Sequence, residues 1–498
     1  MAQSQVLSKQ APKQRGAPGE SQNRTDTASA QLLLDSLLSS KVRYVLIKGE
    51  PGSGKTTLAL ELMKNYGGGV YISTRVSQQL SMEQQPTIGE LLQQEKIKEL
   101  NLEAGSTRGS PPTSSDSGSF RFEDYRLNTA PDVLAAVLEA MDKIRVEPLI
   151  VLDSWDSIAK RIEPVERQKT EQAMLVMAEV RGARVLFVSE EPALTTIDYV
   201  VDAVIQLSDE LLEGRRIRRI AWKKLRGNAI PQRSYLYTLH GGRFTIFENT
   251  KVLPHGSYQI KPFVPIKHKE TLFSTGSADL DSFLGGGIPR GSFVVLELGR
   301  HVNPVWHVPI LQSIQSNFLA NDGCVLVIPT THATPMSSKA KLARYFAEDL
   351  LNERLRIGHY QSYPADPCFV KLESNSTTAS NAEAIRSHVS SIKGKENRSC
   401  AYFMGIDTIE SFVPPEVLKP LANGFSSSMK VSGDMMVAVV KPGSLFLEQL
   451  SESCDIHLKI EEFDRTMVLY SLNPPSEFYN VYFDYGHGYP GVKLSPIL

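Results

Sequence analysis

Neither sign of charge dominates this chain. It carries 54 Lys+Arg against 55 Asp+Glu, for a formal net charge of -1. A generic nucleic-acid binder usually has a net basic field, so such a role would have to rest on a local patch. Cysteine is scarce: Cys324, Cys368, Cys400 and Cys454 make up the total of 4, all in the second half. No two stand at the spacing of a metal knuckle or redox motif, which argues for buried free thiols in a reducing compartment. No apolar run approaches the roughly 20 residues that cross a bilayer. Residues 1–28 are polar throughout and lack the apolar stretch of a secretory signal. The reading is a cytoplasmic protein with no membrane partner and a disordered tail over 1–28.

What is present is ordinary globular material, with 41% hydrophobic and 22% charged residues, enough to build substantial cores. At roughly 100–200 residues per domain, 498 residues imply two to four domains. A helical pattern opens near Ser29, and a short apolar run at Tyr44–Lys48 reads as a buried strand. A glycine-rich turn and a helix over Thr57–Asn65 follow. Further apolar strands are expected at Val70–Ser73, Pro148–Asp153 and Ala183–Ser189, with a helix over Ala130–Ile144. Strands without polar alternation, separated by helices, indicate a parallel sheet covered on both faces. Shorter strands at Val200–Leu207, Ile217–Lys224 and Tyr235–Leu239 close the domain, which is bounded at 29–250. It is interrupted by a low-complexity loop at 105–119.

The pattern then recurs with a period of about 250 residues. YVLIKGEPGSGKTTLALEL at Tyr44 corresponds to FVVLELGRHVNPVWHVPIL at Phe293. GGVYISTR at Gly68 corresponds to DGCVLVIPT at Asp322, PLIVLDSWDSI at Pro148 to AYFMGIDTIES at Ala401, and RVLFVSEEP at Arg184 to MMVAVVKPG at Met435. Ordered recurrence predicts tandem homologous domains, with 251–272 as a linker and 273–498 as the second copy.

GEPGSGKT fits G-x-x-x-x-G-K-[ST] after an apolar strand and before a helix, the context that gives this P-loop motif its meaning. The candidate nucleotide-binding residues are Gly49, Glu50, Pro51, Gly52, Ser53, Gly54, Lys55, Thr56 and Thr57. Glycines allow backbone N–H groups to curl around phosphate oxygens. Lys55 can reach the β- and γ-phosphates, and the following helix turns its positive end toward the anion. Thr56 and Asp153, the latter ending a buried strand, are the candidate Mg²⁺ ligands. The cofactors implied are ATP and Mg²⁺. Ser189 and Glu190 end the next strand; Ser189 could sense the γ-phosphate and Glu190 could orient water. A solvated loop is the competing reading of both.

GRRIRRIAWKKLRG (Gly214–Gly227) is the strongest local charge cluster. Basic and apolar residues alternate, as on a strand with one solvated face. A plain solvated face, a finger set reaching a neighbouring subunit's phosphates, and a nucleic-acid contact are all compatible with it.

The order of these segments resembles the KaiC-like branch of the RecA superfamily. FSTGSADLDSFLGGGIPRGSFVVLELG (Phe273–Gly299) is similar to the lead-in of such domains, and GEPGSGKTT, YIS, LIVLD and WKKLRG occur in family order. The resemblance implies an α/β fold of tandem RecA-like P-loop domains, each a mostly parallel sheet flanked by helices. A closer similarity is to the GvpD-like archaeal P-loop proteins, known as regulators of gas-vesicle genes. In KaiC-like rings the K-x-R-G segment of one subunit meets ATP bound by the next, which suggests Lys224 and Arg226 as trans fingers and a homo-oligomer or regulatory protein as partner. A DNA-associated RecA-like ATPase is the alternative.

Two departures shape the expectation. KaiC-like ATPases place paired glutamates after the second strand, where one activates water; Thr74 and Arg75 stand there instead, and neither is a plausible general base. Hydrolysis is then slow, served by Glu190, or absent. The second copy has Pro304 at the last P-loop glycine, Val305 for the lysine and Trp306 for the threonine. Proline offers no N–H, valine no charge and tryptophan no hydroxyl. Asp407 is expected at the position of Asp153, in a structural role. The sequence thus predicts one nucleotide per chain, bound in the first domain by a regulator.

Overall fold

The computed structural model describes residues 37, 41–66, 69–73, 97–101, 130–142, 148–230, 232–254, 256–374 and 378–498. The polar tail, the 105–119 loop and the Thr74–Arg75 pair lie outside the described residues.

The first sheet is built from β1 (Tyr44–Gly49), β2 (Gly69–Ser73), β3 (Ile97–Asn101), β4 (Leu149–Asp153), β5 (Arg184–Ser189), β6 (Ala203–Leu212), β7 (Arg215–Leu225), β8 (Ser234–Thr238) and β9 (Thr245–Ile246). Their order is β3-β2-β4-β5-β1-β6-β7-β8-β9. The strands from β3 to β6 run parallel, and β7 to β9 turn back antiparallel. The helices are α1 (Lys55–Tyr66), α2 (Ala130–Asp142), α3 (Trp155–Ala159), α4 (Pro164–Arg181) and α5 (Thr196–Val200). The absence of polar alternation in β1, β4 and β5 has the expected cause. Leu46, Ile150, Leu152, Val185 and Phe187 pack beneath α2 to α4. Val45, Ile47, Val151 and Leu186 pack against α1 on the other face.

The second sheet holds β12 (Phe293–Leu298), β13 (Cys324–Ile328), β14 (Leu355–His359), β15 (Phe369–Lys371), β16 (Cys400–Gly405), β17 (Met435–Val440), β18 (Ile456–Phe463), β19 (Thr466–Asn473), β20 (Tyr479–Asp484) and β21 (Gly491–Pro496), preceded by the small pair β10 (Leu272–Phe273) and β11 (Ile288–Pro289). Its order is β15-β14-β13-β16-β17-β12-β18-β19-β20-β21. Apart from the added edge strand β15, this repeats the order of the first sheet, with β12 in the place of β1, β16 in that of β4 and β17 in that of β5. The fold is therefore two RecA-like α/β sheets in tandem. All four cysteines are buried and free.

Repeated details tie the two copies together. Asp202 accepts hydrogen bonds from the N–H groups of Arg43 and Tyr44 at the start of β1; Asp455 accepts one from Phe293 at the start of β12. Tight turns with positive φ join β6 to β7 (Glu213, 52°; Gly214, 76°) and β18 to β19 (Asp464, 49°; Arg465, 62°), the geometry of two-residue hairpins. The central strands each carry a charge at one matching position, buried in Lys48 and half-buried in Glu297. Lys48 of β1 pairs with Asp198 at 3.0 Å, whereas Glu297 of β12 pairs with His457 at 3.0 Å and Lys459 at 3.3 Å. Burial opposes ionisation of Glu297, but the hydrogen bond from His457 and the charge of Lys459 prevail and lower its pKa.

Strand register corrects one expectation. Asp153 lies opposite Val188 of β5, and the residue in that place in the second sheet is Gly405, opposite Val439 of β17. Asp407 lies two residues further on, in the first turn of the helix Ile406–Phe412. There it forms an ion pair with Lys441 and accepts from the Thr331 N–H and hydroxyl at 3.0 and 2.6 Å. The sequence alignment slipped because buried apolar strands offer few landmarks.

Residues 256–272 run along the second domain rather than hanging free. Tyr258 packs on Tyr485 and Phe263 on Tyr489, and Asn317 fixes both backbone groups of Ile266.

Candidate nucleotide site

The P-loop sits where β1 gives way to α1, at the carboxyl end of the parallel strands. That is the edge at which open α/β sheets bind ligands. Gly52 and Gly54 take φ values of 81° and 86°, a left-handed conformation that suits glycine. Gly49 is required for space: a Cβ there would lie 2.6 Å from the Ser53 hydroxyl and 2.7 Å from the Leu207 carbonyl oxygen. The loop is thereby drawn tight over the middle of β6. Ser53 Oγ is buried with no hydrogen-bond partner among the described residues.

The cation and the carboxylates converge on this loop. Lys55 is buried and donates from Nζ to the Gly49 and Glu50 carbonyls, both at 2.8 Å. Glu190 approaches the same ammonium at 3.9 Å, so the structure brings Glu190 to the P-loop lysine. Asp153 ends β4, buried, with Oδ2 accepting from Thr56 Oγ1 at 2.6 Å and from Tyr71 Oη at 2.7 Å. A hydroxyl and a carboxylate in contact at the mouth of a P-loop are the donor set that a hard cation such as Mg²⁺ takes. A loop with an inward lysine, two left-handed glycines and this oxygen pair fits a nucleotide bound as its magnesium complex. Bound there, Mg²⁺ would neutralise phosphate charge; Thr56 and Asp153 would hold it, with Tyr71 orienting the carboxylate.

The Ser189–Glu190 segment is shaped from below. Asp156 of α3 accepts from Ser189 Oγ at 2.9 Å and also from the Glu190 N–H. Ser189 is thus turned toward α3, and its hydroxyl in turn accepts from Glu191 N–H at 3.1 Å. A γ-phosphate-sensing role finds no support in that orientation. Glu190 is the carboxylate placed at the loop.

The basic strand does something that none of its three readings foresaw. Arg218 is 5% exposed; its Nη1 donates to the Gly52 carbonyl at 3.1 Å and its Nη2 pairs with Asp209 at 3.1 Å. Arg219 pairs with Asp464 of the second domain at 3.0 Å. Arg215 donates to the Ser476 and Ser471 carbonyls at 2.6 and 3.1 Å and lies over the Tyr470 ring. Arg215, Arg218 and Arg219 are thus spent inside the chain, while Arg216, Lys223 and Arg226 remain exposed. The strand itself was read correctly, but its basic and apolar residues do not sort onto separate faces: Arg218 shares a face with Ile220 and Trp222, and Arg219 with Ile217.

Lys224 and Arg226 occupy the far end of β7. Lys224 donates to the Asp198 and Tyr199 carbonyls at 2.9 and 2.8 Å, and Arg226 to those of Tyr199 and Val200 at 2.7 and 3.2 Å. Both cap α5 within the same chain. Partial burial, reinforced by the charge of Arg226, lowers the pKa of Lys224.

Besides Tyr71 and Arg218, two more contributors escaped sequence reasoning. Tyr237 donates to the Ser53 carbonyl at 2.5 Å, and burial pushes its phenol up to about 12. Leu239 lies against the loop so closely that a Cβ on Gly54 would come within 2.7 Å of it. Neither carries a motif; each reaches the loop through strand pairing far along the chain.

In the second copy, Val305 and Trp306 stand at the places of Lys55 and Thr56. Trp306 is buried in the apolar core, Val305 is 47% exposed, and the helix begins at His307.

Comparison with known proteins agrees with this architecture. Residues 34–251 match the family model described as ATPase: KaiC, and residues 262–363 match GvpD basic region 2. Protein GvpD2 of Halobacterium salinarum is 24% identical over 484 residues, spanning 91% of this chain and 93% of the relative. Protein GvpD1 of the same organism is 22% identical over 524 residues, spanning 91% and 94%. The second match falls on a region that sequence reasoning had not singled out for charge. There Lys339 pairs with Asp366 and Glu348 at 2.7 and 3.0 Å, and Arg354 with Asp322 at 2.7 Å.

Proposed function

We propose that this chain, a KaiC-like ATPase domain joined to a GvpD basic region, is a nucleotide-dependent regulatory protein that binds one Mg-ATP per chain. The observation that carries it is the convergence of Lys55, Thr56, Asp153 and Glu190 on one loop, beside a second copy in which Val305 and Gly405 replace the lysine and the aspartate. Lys55 supplies positive charge to the terminal phosphates, releasing the Gly49 and Glu50 carbonyls as it does so. Thr56 and Asp153 would hold the cation, which would neutralise phosphate charge. Glu190 is the carboxylate available to orient a water, which makes slow hydrolysis the chemistry open to the site. Exchange of ATP for ADP would then bias a conformational or assembly equilibrium. The GvpD resemblance makes control of gas-vesicle genes the favoured setting.

Nucleotide turnover and equilibrium titration of wild type, Lys55→Ala and Glu190→Gln test this. One site per chain is expected, abolished in Lys55→Ala. Glu190→Gln should keep affinity and lose turnover. Two sites per chain, or undiminished binding in Lys55→Ala, would overturn the reading. A DNA-associated ATPase is disfavoured because Arg215, Arg218 and Arg219 are engaged within the chain.

A further inference from the structure

The strands β7 and β8 form a wall between the two domains, and pleating gives each strand two faces with different duties. On one face, Arg218 holds the Gly52 carbonyl, Tyr237 holds that of Ser53, and Leu239, just beyond β8, abuts Gly54. Three consecutive residues at the crest of the P-loop are thus each touched by this wall.

The residues alternating with these point the other way. Ile217 and Leu236 join Val468, Tyr470, Phe478 and Ile497 in one apolar cluster. Arg219 pairs with Asp464 in the β18–β19 turn. Thr238 Oγ1 donates to the Pro496 carbonyl at 2.7 Å and accepts from the Leu498 N–H at 3.3 Å. The Leu239 N–H donates to the Leu498 carbonyl at 3.1 Å. Each P-loop contact therefore has a neighbour one residue away that is fixed to the second domain.

We propose that the second domain positions the P-loop of the first. Arg218, Tyr237 and Leu239 are positioning residues, and the β18–β19 turn and the Pro496–Leu498 segment set where they stand. A copy that has lost its own nucleotide chemistry would act as a clamp on the intact one. Because coupling is reciprocal, a nucleotide that shifts the loop also shifts the grip of the second domain. This extends the reading of Gly49–Thr56 as the nucleotide loop.

Hydrogen exchange on the full chain tests it, using Thr238→Val and a variant lacking Leu498. Val325→Ala, a cavity in the second sheet away from the shared cluster, controls for general loosening. In the absence of nucleotide, amides of Gly52–Lys55 should exchange about fivefold faster in both test variants than in wild type or in the control. Mg-ATP affinity should fall about fivefold in the same two. In wild type, saturating Mg-ATP should slow exchange at Asp464–Thr466 and at Ile497–Leu498. P-loop exchange that is the same in the test variants as in the control overturns the coupling. Absence of nucleotide binding in wild type overturns the assignment of the site instead, and the nucleotide-free arm still decides the coupling.

Discussion

The buried pair beside the P-loop makes a demanding test of the energetics. Lys48 is the penultimate residue of β1, just before Gly49, and both it and Asp198 are 6% exposed at their side chains. Its ammonium meets both Asp198 oxygens at 3.1 and 3.0 Å and the Ala193 carbonyl at 2.5 Å. Asp198 also accepts from the Thr195 N–H and hydroxyl, each at 2.8 Å. In Lys48→Met the carboxylate keeps the Thr195 bonds but stays buried without its cation, at a cost of about 3–5 kcal/mol. The two surviving bonds place the expectation at the lower end. For a domain of this size that lowers the unfolding temperature by about 6–12 °C. Asp198→Leu alone should cost a similar amount by stranding the lysine. The double variant Lys48→Met/Asp198→Leu should be less destabilised than either, with a residual loss of about 1 kcal/mol from the vanished Thr195 cap. Trp155 and Trp222 are both buried in the first domain, so a Trp306→Phe background makes tryptophan fluorescence report on that domain alone. A single Lys48→Met variant within about 0.5 kcal/mol of wild type, or strict additivity in the double variant, would refute the reasoning.

Two further outcomes follow from the same geometry. Asp153→Asn keeps the shape of the Thr56 and Tyr71 contacts but removes the charge, so titration with Mg-ATP should show about 10–100-fold weaker binding, with little change when Mg²⁺ is omitted. His307 is deeply buried; that burial, with the nearby charges of Lys441 and Lys341, lowers its pKa to about 4. The group is neutral when folded and takes a proton on unfolding. Its contribution is present above the ordinary pKa near 6.5 and is lost as pH falls toward 4. Urea titrations at pH 6.5 and 5 should show the second domain losing about 1.5 kcal/mol on this account, and His307→Phe should flatten that slope.

The parallel sheet was legible because its strands are continuous apolar runs set at regular intervals. The P-loop was legible because its chemistry is local: Gly49 to Thr56 are contiguous, and the strand and helix around them are short-range patterns. What lay hidden depends on pairing across long separations. Tyr71 reaches Asp153 because β2 and β4 are neighbours, a fact about sheet order. Tyr237 and Leu239 reach the loop because β8 returns past it. The alternating arginines of β7 announced two faces, but the partner of each face belongs to another part of the chain. Asp407 was misplaced for a related reason: hydrophobic strands align almost equally well one or two residues out of step, and backbone pairing is what fixes them.

The opposite charges buried at the matching place in the two central strands carry a consequence for how a duplicated chain avoids confusing its halves. Were β1 to insert into the second sheet, Lys48 would face His457 and Lys459; were β12 to insert into the first, Glu297 would meet Asp198. Either exchange buries like charges against each other, while the correct assembly buries opposite ones. The sign of one side chain therefore opposes the exchange of two strands that are alike in length and apolarity.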